Sequence, residues 1–328
     1  MATGYVKGVT LPEFWERAVI KTWEEGDIVP TEYDKLGDPS SRDMNILLHV
    51  TNPQQEPRIH RAFPGGLEDL EAYRLEVVEG IHDHWIPKKA YETITGIGRK
   101  KRHNLPLTET EKEALKDPNL QKWSYTYAQR IFAYDTPDGA ITNQYDEALE
   151  KLVEAPHTRR AMFSLLKPWS DIFHHDPPCL NLVQFRVLGD ELRMHVTMRS
   201  NDGFKAAFMN MWSFTDLQRK MAEDLSGRLK KNITPADYIQ NSISFHIYGF
   251  DFSALSKFLE TVKARSFEER VWDSRLDVVQ GSFRDARMRE LKHTGDKELP
   301  PRKKLALWKQ AGADEREEYA RILGRRLG

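Results

Sequence analysis

The single cysteine of the chain, Cys179, follows two prolines in HHDPPCLNLVQFRV and stands at the mouth of an apolar, β-type run. A lone thiol there is either a small buried hydrophobe, the common fate of cysteine, or a nucleophile. Four neighbouring motifs bear on the choice. Thr158-Arg159-Arg160 separates a helical from a strand-like segment, and adjacent guanidiniums serve as plain surface charge or as a clamp for phosphate oxygens. Arg199-Ser200-Asn201-Asp202 ends a strand and is expected to open a helix, whose first N–H groups would favour an anion beside the serine. Asn210 lies in an apolar helical run between Met209 and Met211, so its amide needs a partner, a backbone carbonyl or a nucleobase edge. His246 and Tyr248 alternate along a strand and share a face, either as core residues with satisfied polar ends or as ligands of a sugar hydroxyl. Together these residue types suit a mononucleotide: arginines for phosphate, imidazole and phenol for sugar, an amide for the base. Arginines near a thiol favour its thiolate, the nucleophilic form.

The elements that must position these residues follow from apolar periodicity. Helices are expected at 11–25, with Gly26 as a stop signal, at 67–83, and over NQYDEALEKLVEAP. A short strand is expected at ILLHV, then three strands over AMFSLL, LNLVQFRV and LRMHVTM. A long helix follows over NDGFKAAFMNMWSFTDLQRKMAEDLSGRL, 201–229, then a strand at SISFHIYGF and a helix at SALSKFLETVKARS. Residues 86–122 read as a charged insertion carrying a helix, in which GIGRKKRHN is a solvated basic loop or a phosphate contact. The chain beyond 282 is charged and helical, with little to fill a core, and is expected to pack on the surface. This order predicts an α+β fold with a mixed sheet rather than βαβ units. It divides the chain into a catalytic domain, 1–282, and a C-terminal extension, 283–328.

Five of these motifs, in order and at matching spacing, resemble the thymidylate synthase family, which includes the pyrimidine-nucleotide hydroxymethylases. They are T-R-R at 158–160, P-P-C at 177–179 with the strand LVQFRV, R-S-N-D at 199–202, Asn210, and H-I-Y at 246–248. TYAQR at 126–130 resembles the tyrosine-bearing segment upstream, so Tyr127 joins the site. The resemblance covers about 123–262. It implies a mixed sheet packed by long helices and a homodimer whose sites are built from both chains. It also implies 5,10-methylenetetrahydrofolate as cofactor and a pyrimidine nucleoside monophosphate as substrate. By the same resemblance Cys179 adds to C6 of the base, and Arg159 and Arg160 reach phosphate in the partner's site. Arg199 and Ser200 hold phosphate from the same chain, Asp202 contacts the folate, and Arg42 is the N-terminal phosphate arginine. The surroundings of Arg42 lack the usual threonine- and glycine-rich pattern. A carboxylate must manage protons at C5 and at the base. Glu76, in a Glu-x-x-x-Gly spacing, is preferred over Glu79.

Hydride delivery to the last intermediate would give a methyl group, and water a hydroxymethyl group. The synthases close an apolar tail over the site to exclude water and commonly carry His after the cysteine. This chain carries Leu180 there and ends ARILGRRLG, which favours hydroxymethylation over thymidylate synthesis. Asn210 suits uracil, since the phage dCMP hydroxymethylases carry an aspartate there; dUMP is therefore expected over dCMP, and a CMP hydroxymethylase of an antibiotic pathway is the other alternative. A catalytically silent nucleotide- or nucleic-acid-binding protein is the reading of a different class. A net charge of −1 gives it no general basic field. One cysteine and an N-terminus without a basic-then-apolar leader predict a cytoplasmic setting.

Overall fold

The structure, a computed structural model, describes residues 1–86, 90–117, 124–312 and 315–321. In chain order it contains β1 (Thr3–Gly8), α1 (Leu11–Glu25), β2 (Asp27–Val29), β3 (Ser41–Val50), β4 (Ile59–His60), α2 (Leu67–Glu79), α3 (Ala90–Arg102) and α4 (Glu109–Ala114). Then come α5 (Tyr127–Phe132), β5 (Tyr134–Asp135), β6 (Ile141–Thr142), α6 (Gln144–Glu154), β7 (Met162–Ser164), α7 (Pro168–Asp171), β8 (Leu180–Leu188), β9 (Glu191–Met198) and β10 (Asn201–Asp202). The last are α8 (Ala207–Leu229), β11 (Thr234–Ile247), α9 (Phe252–Ala264), β12 (Val271–Trp272), α10 (Asp277–Lys292) and α11 (Pro301–Gln310). The α+β order is the expected one. No described helix is long and apolar enough to cross a membrane. The chain forms two compact units. One takes residues 1–66, 145–163 and 179–280, the other 67–144, 164–178 and the described residues from 281 onward.

The first unit is built on one mixed sheet, in the order β1-β3-β11-β9-β8-β7, with β2 also on β3 and β10 on β11. β1 pairs parallel with β3, β3 antiparallel with β11, β11 parallel with β9, and β9 antiparallel with β8. Alternation in β3 buries Met44, Ile46, Leu48 and Val50, the period-two signature of a strand with one core face. Helix α1 packs on β1 and β3, and α8 on β9 and β11. From α8, Phe208, Met211, Phe214, Leu217 and Met221 are buried, each worth about 1.5–3 kcal/mol of apolar burial. Trp15 of α1 is fully buried, and its indole N–H donates to the Gly203 carbonyl at 2.9 Å.

Two strands depart from expectation. β11 begins at Thr234, well before the apolar run SISFHIYGF. Its first half turns Tyr238, Gln240 and Ser242 inward. These satisfy one another, the Tyr238 hydroxyl donating to Gln240 and the Gln240 amide to Ser242, so a buried polar stripe hides the strand from a hydrophobicity reading. β1, with Val6 its only buried hydrophobic residue, escapes the same reading.

In the second unit, α2 ends at Glu79, about one turn short of its expected limit at 83. The basic run at 98–103 is not a loop: 98–102 forms the end of α3, where Arg99 lies 4.6 Å over the Phe173 ring and Lys100 pairs with Glu111 at 2.7 Å. Residues 87–89 and 118–122 of the expected insertion lie outside the described residues. The C-terminal segment corrects the expectation of a surface appendage. Met288, Leu291, Leu299, Leu307 and Tyr319 are buried in one cluster with Leu75 and Ile81. Its charges can be buried because they are paired: Arg287 binds Glu71 at 2.9 Å and Glu315 at 2.7 Å, and Glu71 also binds Arg74 at 2.7 Å.

Candidate active site

In the first unit, strand register gathers the residues. Cys179 immediately precedes β8 and Arg199 immediately follows β9, and the Arg199 N–H donates to the Cys179 carbonyl at 2.9 Å. β9 runs along β11 until Met198 stands opposite Ser242. β11 then bulges between Ser242 and Phe245 in its pairing with β3, and takes β10 as partner, with Asn201 opposite Phe245 and Asp202 opposite His246. On the other side His246 stands opposite Asp43, and Ile247 opposite Arg42. Cys179, Arg199, Ser200, Asn201, Asp202, His246 and Arg42 therefore line one end of the sheet. A bulge at such a point is a common device for re-aiming side chains. Gly203 permits the approach of β10, because a Cβ there would lie 2.2 Å from the Phe245 ring.

The segment 199–202 does not open a helix, as the sequence suggested. Asn201 and Asp202 are strand residues, and α8 starts only at Ala207. The Asp202 Oδ1 accepts the N–H groups of Phe204 and Lys205 at 3.1 and 3.0 Å, which turns the chain instead. Ser200 thus stands between two strands and not at a helix N-terminus. Burial pushes the Asp202 carboxyl up to about 6; the Lys205 and Phe204 N–H groups oppose the rise and nearby Asp251 adds to it.

Asn210 is buried in α8, and its Nδ2 donates to the Asn201 Oδ1 at 3.0 Å. The Asn201 Nδ2 is itself buried without a hydrogen-bond partner among the described residues. His246 is held from one side only. The Ser244 hydroxyl donates to Asp43 at 3.0 Å and lies 3.2 Å from the His246 Nδ1. That order of donation puts the imidazole proton on Nδ1 and leaves Nε2 as an acceptor. Nε2 is buried and has no partner among the described residues. Burial lowers the pKa of this histidine and favours its neutral form. Tyr248 falls one residue beyond β11 rather than within it, yet its ring lies 4.6 Å from that of His246. Arg42 donates to the Gly26 carbonyl at 3.2 Å and covers Trp23. Arg159 and Arg160 are exposed, and neither guanidinium has a hydrogen bond or ion pair among the described residues. Their backbone is nonetheless fixed, with the Gln184 amide donating to the Arg159 carbonyl at 2.8 Å and the Arg160 N–H to Thr158 at 3.2 Å.

The second unit holds the other two predicted residues. Glu76 and Tyr127 line one cavity of about 200 Å³, with Tyr73, Thr126, His174 and Asp176 among its walls. Tyr127 opens α5 behind Thr126, whose hydroxyl caps the Gln129 N–H at 3.0 Å. Glu79 does not line this cavity, and its carboxylate accepts from Gln310 at 2.7 Å. A larger cavity of about 800 Å³, sharing His174 and lined by Ile94, Ile97, Lys101, Ile172 and Phe173, contains none of the predicted residues.

No local sequence signal singles out Asn201, His82 or Glu290. Asn201 became visible only once 201–202 proved to be a strand, which turns it away from Asp202 toward α8. His82 and Glu290 lie 208 positions apart and meet through the C-terminal segment.

Comparison with known proteins places the chain in a family. Residues 80–297 match the protein-family model described as thymidylate synthase, well over half of the chain. Among similar proteins, one from Methanocaldococcus jannaschii named "Putative thymidylate synthase" is 24% identical over 259 residues, covering 77% of this chain and 95% of that protein. One of the same name from Methanosarcina mazei is 27% identical over 257 residues, 78% of this chain and 95% of its own. Another from Methanopyrus kandleri is 30% identical over 140 residues, 42% of this chain and 62% of its own. The chain belongs to the thymidylate synthase family.

Proposed function

We propose that the chain transfers a one-carbon unit to C5 of a pyrimidine nucleoside monophosphate, with dUMP the preferred substrate and 5-hydroxymethyl-dUMP the product. The observation that carries this reading is the row of groups at the sheet end. A thiol, a guanidinium, a buried amide donor and a buried imidazole acceptor stand together, and the last two lack partners among the described residues. Such atoms fit a bound nucleotide, because buried polar groups are normally hydrogen-bonded.

The residues take their roles from this placement. Arg199 and Ser200 hold the phosphate, with Arg159 and Arg160 reaching it from a second copy and Arg42 assisting. The His246 Nε2 accepts a sugar hydroxyl beside Tyr248. Asn210 and Asn201 face the base edge. The Cys179 thiolate adds to C6, which makes C5 nucleophilic. 5,10-Methylenetetrahydrofolate, when bound, supplies the one-carbon unit, and Asp202 is the residue that would hold it. Glu76 accepts the proton that leaves C5, with Tyr127 on the same cavity wall. That proton goes to the nitrogen of tetrahydrofolate as the C–N bond to the one-carbon unit breaks, so Glu76 can take a second one from the water whose oxygen ends in the hydroxymethyl group and pass it to solvent, and Cys179 departs from C6 as the C–O bond forms. A carboxylate lining a polar cavity supports water as the final nucleophile, as does Leu180 after the thiol.

The second reading is reductive methylation of dUMP, favoured by the names of the archaeal relatives. The test incubates the purified chain with methylenetetrahydrofolate and dUMP, dCMP or CMP in turn. Nucleotide mass and dihydrofolate absorbance are followed. Hydroxymethylation adds CH2O and releases tetrahydrofolate. A gain of CH2 with dihydrofolate formation would establish methylation instead. Absence of product with all three nucleotides would overturn the enzymatic reading.

A further inference from the structure

Glu76 is not a solitary carboxylate. Its Oε2 lies 2.7 Å from the His82 Nδ1, and the His82 Nε2 lies 3.1 Å from the Glu290 Oε2. The imidazole is buried and stacked on Trp85, with ring centroids 4.0 Å apart. Glu290 is buried as well, whereas the Glu76 side chain keeps 21% of its surface exposed and borders the cavity that holds Tyr127. With Oε2 taken by His82, Oε1 is the oxygen left to that cavity.

We infer that His82 and Glu290 are positioning residues for Glu76, so that the C-terminal segment contributes to the chemistry through a carboxylate–imidazolium–carboxylate relay. This rests on the reading of Glu76 as the proton-handling carboxylate. Each of its contacts has a physical purpose. A hydrogen bond to one oxygen fixes the carboxylate plane and directs the other oxygen toward the reacting proton. Glu290 keeps the imidazole protonated. Burial alone would lower the His82 pKa, but its hydrogen bonds to Glu290 and Glu76 raise it to about 9. No proton needs to leave His82 during the reaction.

Other charged groups face the relay from the elements packed around it. Asp83 is bound by the Thr126 hydroxyl at 2.6 Å and lies 3.9 Å from the Lys303 Nζ. His293 lies 3.5 Å from the Glu290 Oε2, and the Lys297 Nζ sits 5.0 Å over Trp85. Asp176, His174 and the phenols of Tyr73, Tyr125 and Tyr127 line the cavity side.

The test uses the full chain and its Glu290→Gln, His82→Gln and Glu76→Gln variants, with dUMP and methylenetetrahydrofolate as probes. Histidine labelled with nitrogen-15 reports the titration of His82, and kcat and KM for dUMP are measured across pH. In the unaltered chain the imidazolium persists until the pH rises through about 9. In Glu290→Gln that transition should fall by at least about one pH unit. The alkaline limb of kcat should fall with it, while KM for dUMP stays within about twofold. His82→Gln should lose most of kcat at every pH. If Glu290→Gln leaves both the titration and the kcat profile unmoved, the relay is overturned, even should His82→Gln fail to fold. Failure of the underlying reading is distinct: Glu76→Gln would then retain near-normal kcat.

Discussion

At the sheet end, the His246 Nε2 and Asn201 Nδ2 are buried without hydrogen-bond partners among the described residues, and Arg159 and Arg160 present exposed guanidiniums. Among the helices of the other unit, Glu76, His82 and Glu290 bond one another in series. The first group leaves hydrogen-bonding capacity unmet among the described residues, and the second is satisfied within itself. An unpaired buried donor or acceptor costs about 1–3 kcal/mol until something fills it. The sheet end therefore suits recognition, because atoms of a bound molecule can supply the partners that the described residues do not. The helical group suits proton handling, because a carboxylate hydrogen-bonded to a buried imidazole has its orientation set before substrate arrives.

The largest expected effect breaks chemistry from binding. Cys179→Ser should lower turnover by about 10⁴-fold or more while nucleotide affinity, read by calorimetry, changes only a few-fold. Loss of both together would show that the thiol belongs to the recognition set after all. A second test concerns the exposed arginines. Arg159→Ala and Cys179→Ser should each be nearly inactive alone, and mixing them with subunit exchange should restore activity, since one site of the heterodimer has both parts intact. No recovery after demonstrated exchange would place Arg159 within its own chain's site.

A smaller effect falls on stability. The Asp202 pKa in the folded chain is raised from 3.8 to about 6. Its carboxyl therefore binds a proton more tightly folded than unfolded, and folding loses stability as pH rises from about 4 to about 6 and stays penalised above. Asp202→Asn keeps an oxygen for the Phe204 and Lys205 N–H groups without the charge. It should stabilise the chain at pH 8, on the order of 1–2 kcal/mol, with the gain vanishing below about pH 4. Melting curves of the two proteins at both pH values decide the matter. A loss of folate-dependent turnover alongside the gain would fit a carboxylate kept for function at the expense of the fold.

The same contrast explains what the sequence made legible. The sheet end was readable because strand alternation and a hairpin bring Cys179 and Arg199 together whatever the remaining details. The three strands, α1 and α9 came from plain apolar periodicity. What stayed hidden has one physical theme, polar or charged groups buried by pairing. The inward Tyr238-Gln240-Ser242 stripe concealed half of β11. The Arg287 pairs with Glu71 and Glu315 concealed that a charged C-terminal segment also fills a core. The His82–Glu290 contact spans 208 positions, and no local pattern announces a partner so far along the chain.

The finest test turns on a single amide pair. Asn210 donates its Nδ2 to the Asn201 Oδ1, which fixes the orientation of Asn201 and leaves the Asn201 Nδ2 as the buried donor. That donor can meet the O4 of uracil, an acceptor, but opposes the N4 amino group of cytosine. In Asn210→Asp the carboxylate repels the Asn201 Oδ1, so the Asn201 amide should turn over, donate to the new carboxylate and present its oxygen outward. The edge that was read as a donor becomes an acceptor, and cytosine's amino group now has a partner. A mismatch leaving one buried polar group unpaired costs about 1–3 kcal/mol. The ratio of kcat/KM for dUMP over dCMP should therefore fall by about 10- to 100-fold, at about 1.4 kcal/mol per tenfold. Asn201→Asp, which removes the donor directly, should move the ratio the same way and leave Asn210 with its acceptor intact. If Asn210→Asp leaves the ratio unchanged while Asn201→Asp shifts it, Asn201 alone reads the base. If neither moves it, the amide pair is structural, and the base is chosen elsewhere along the sheet end.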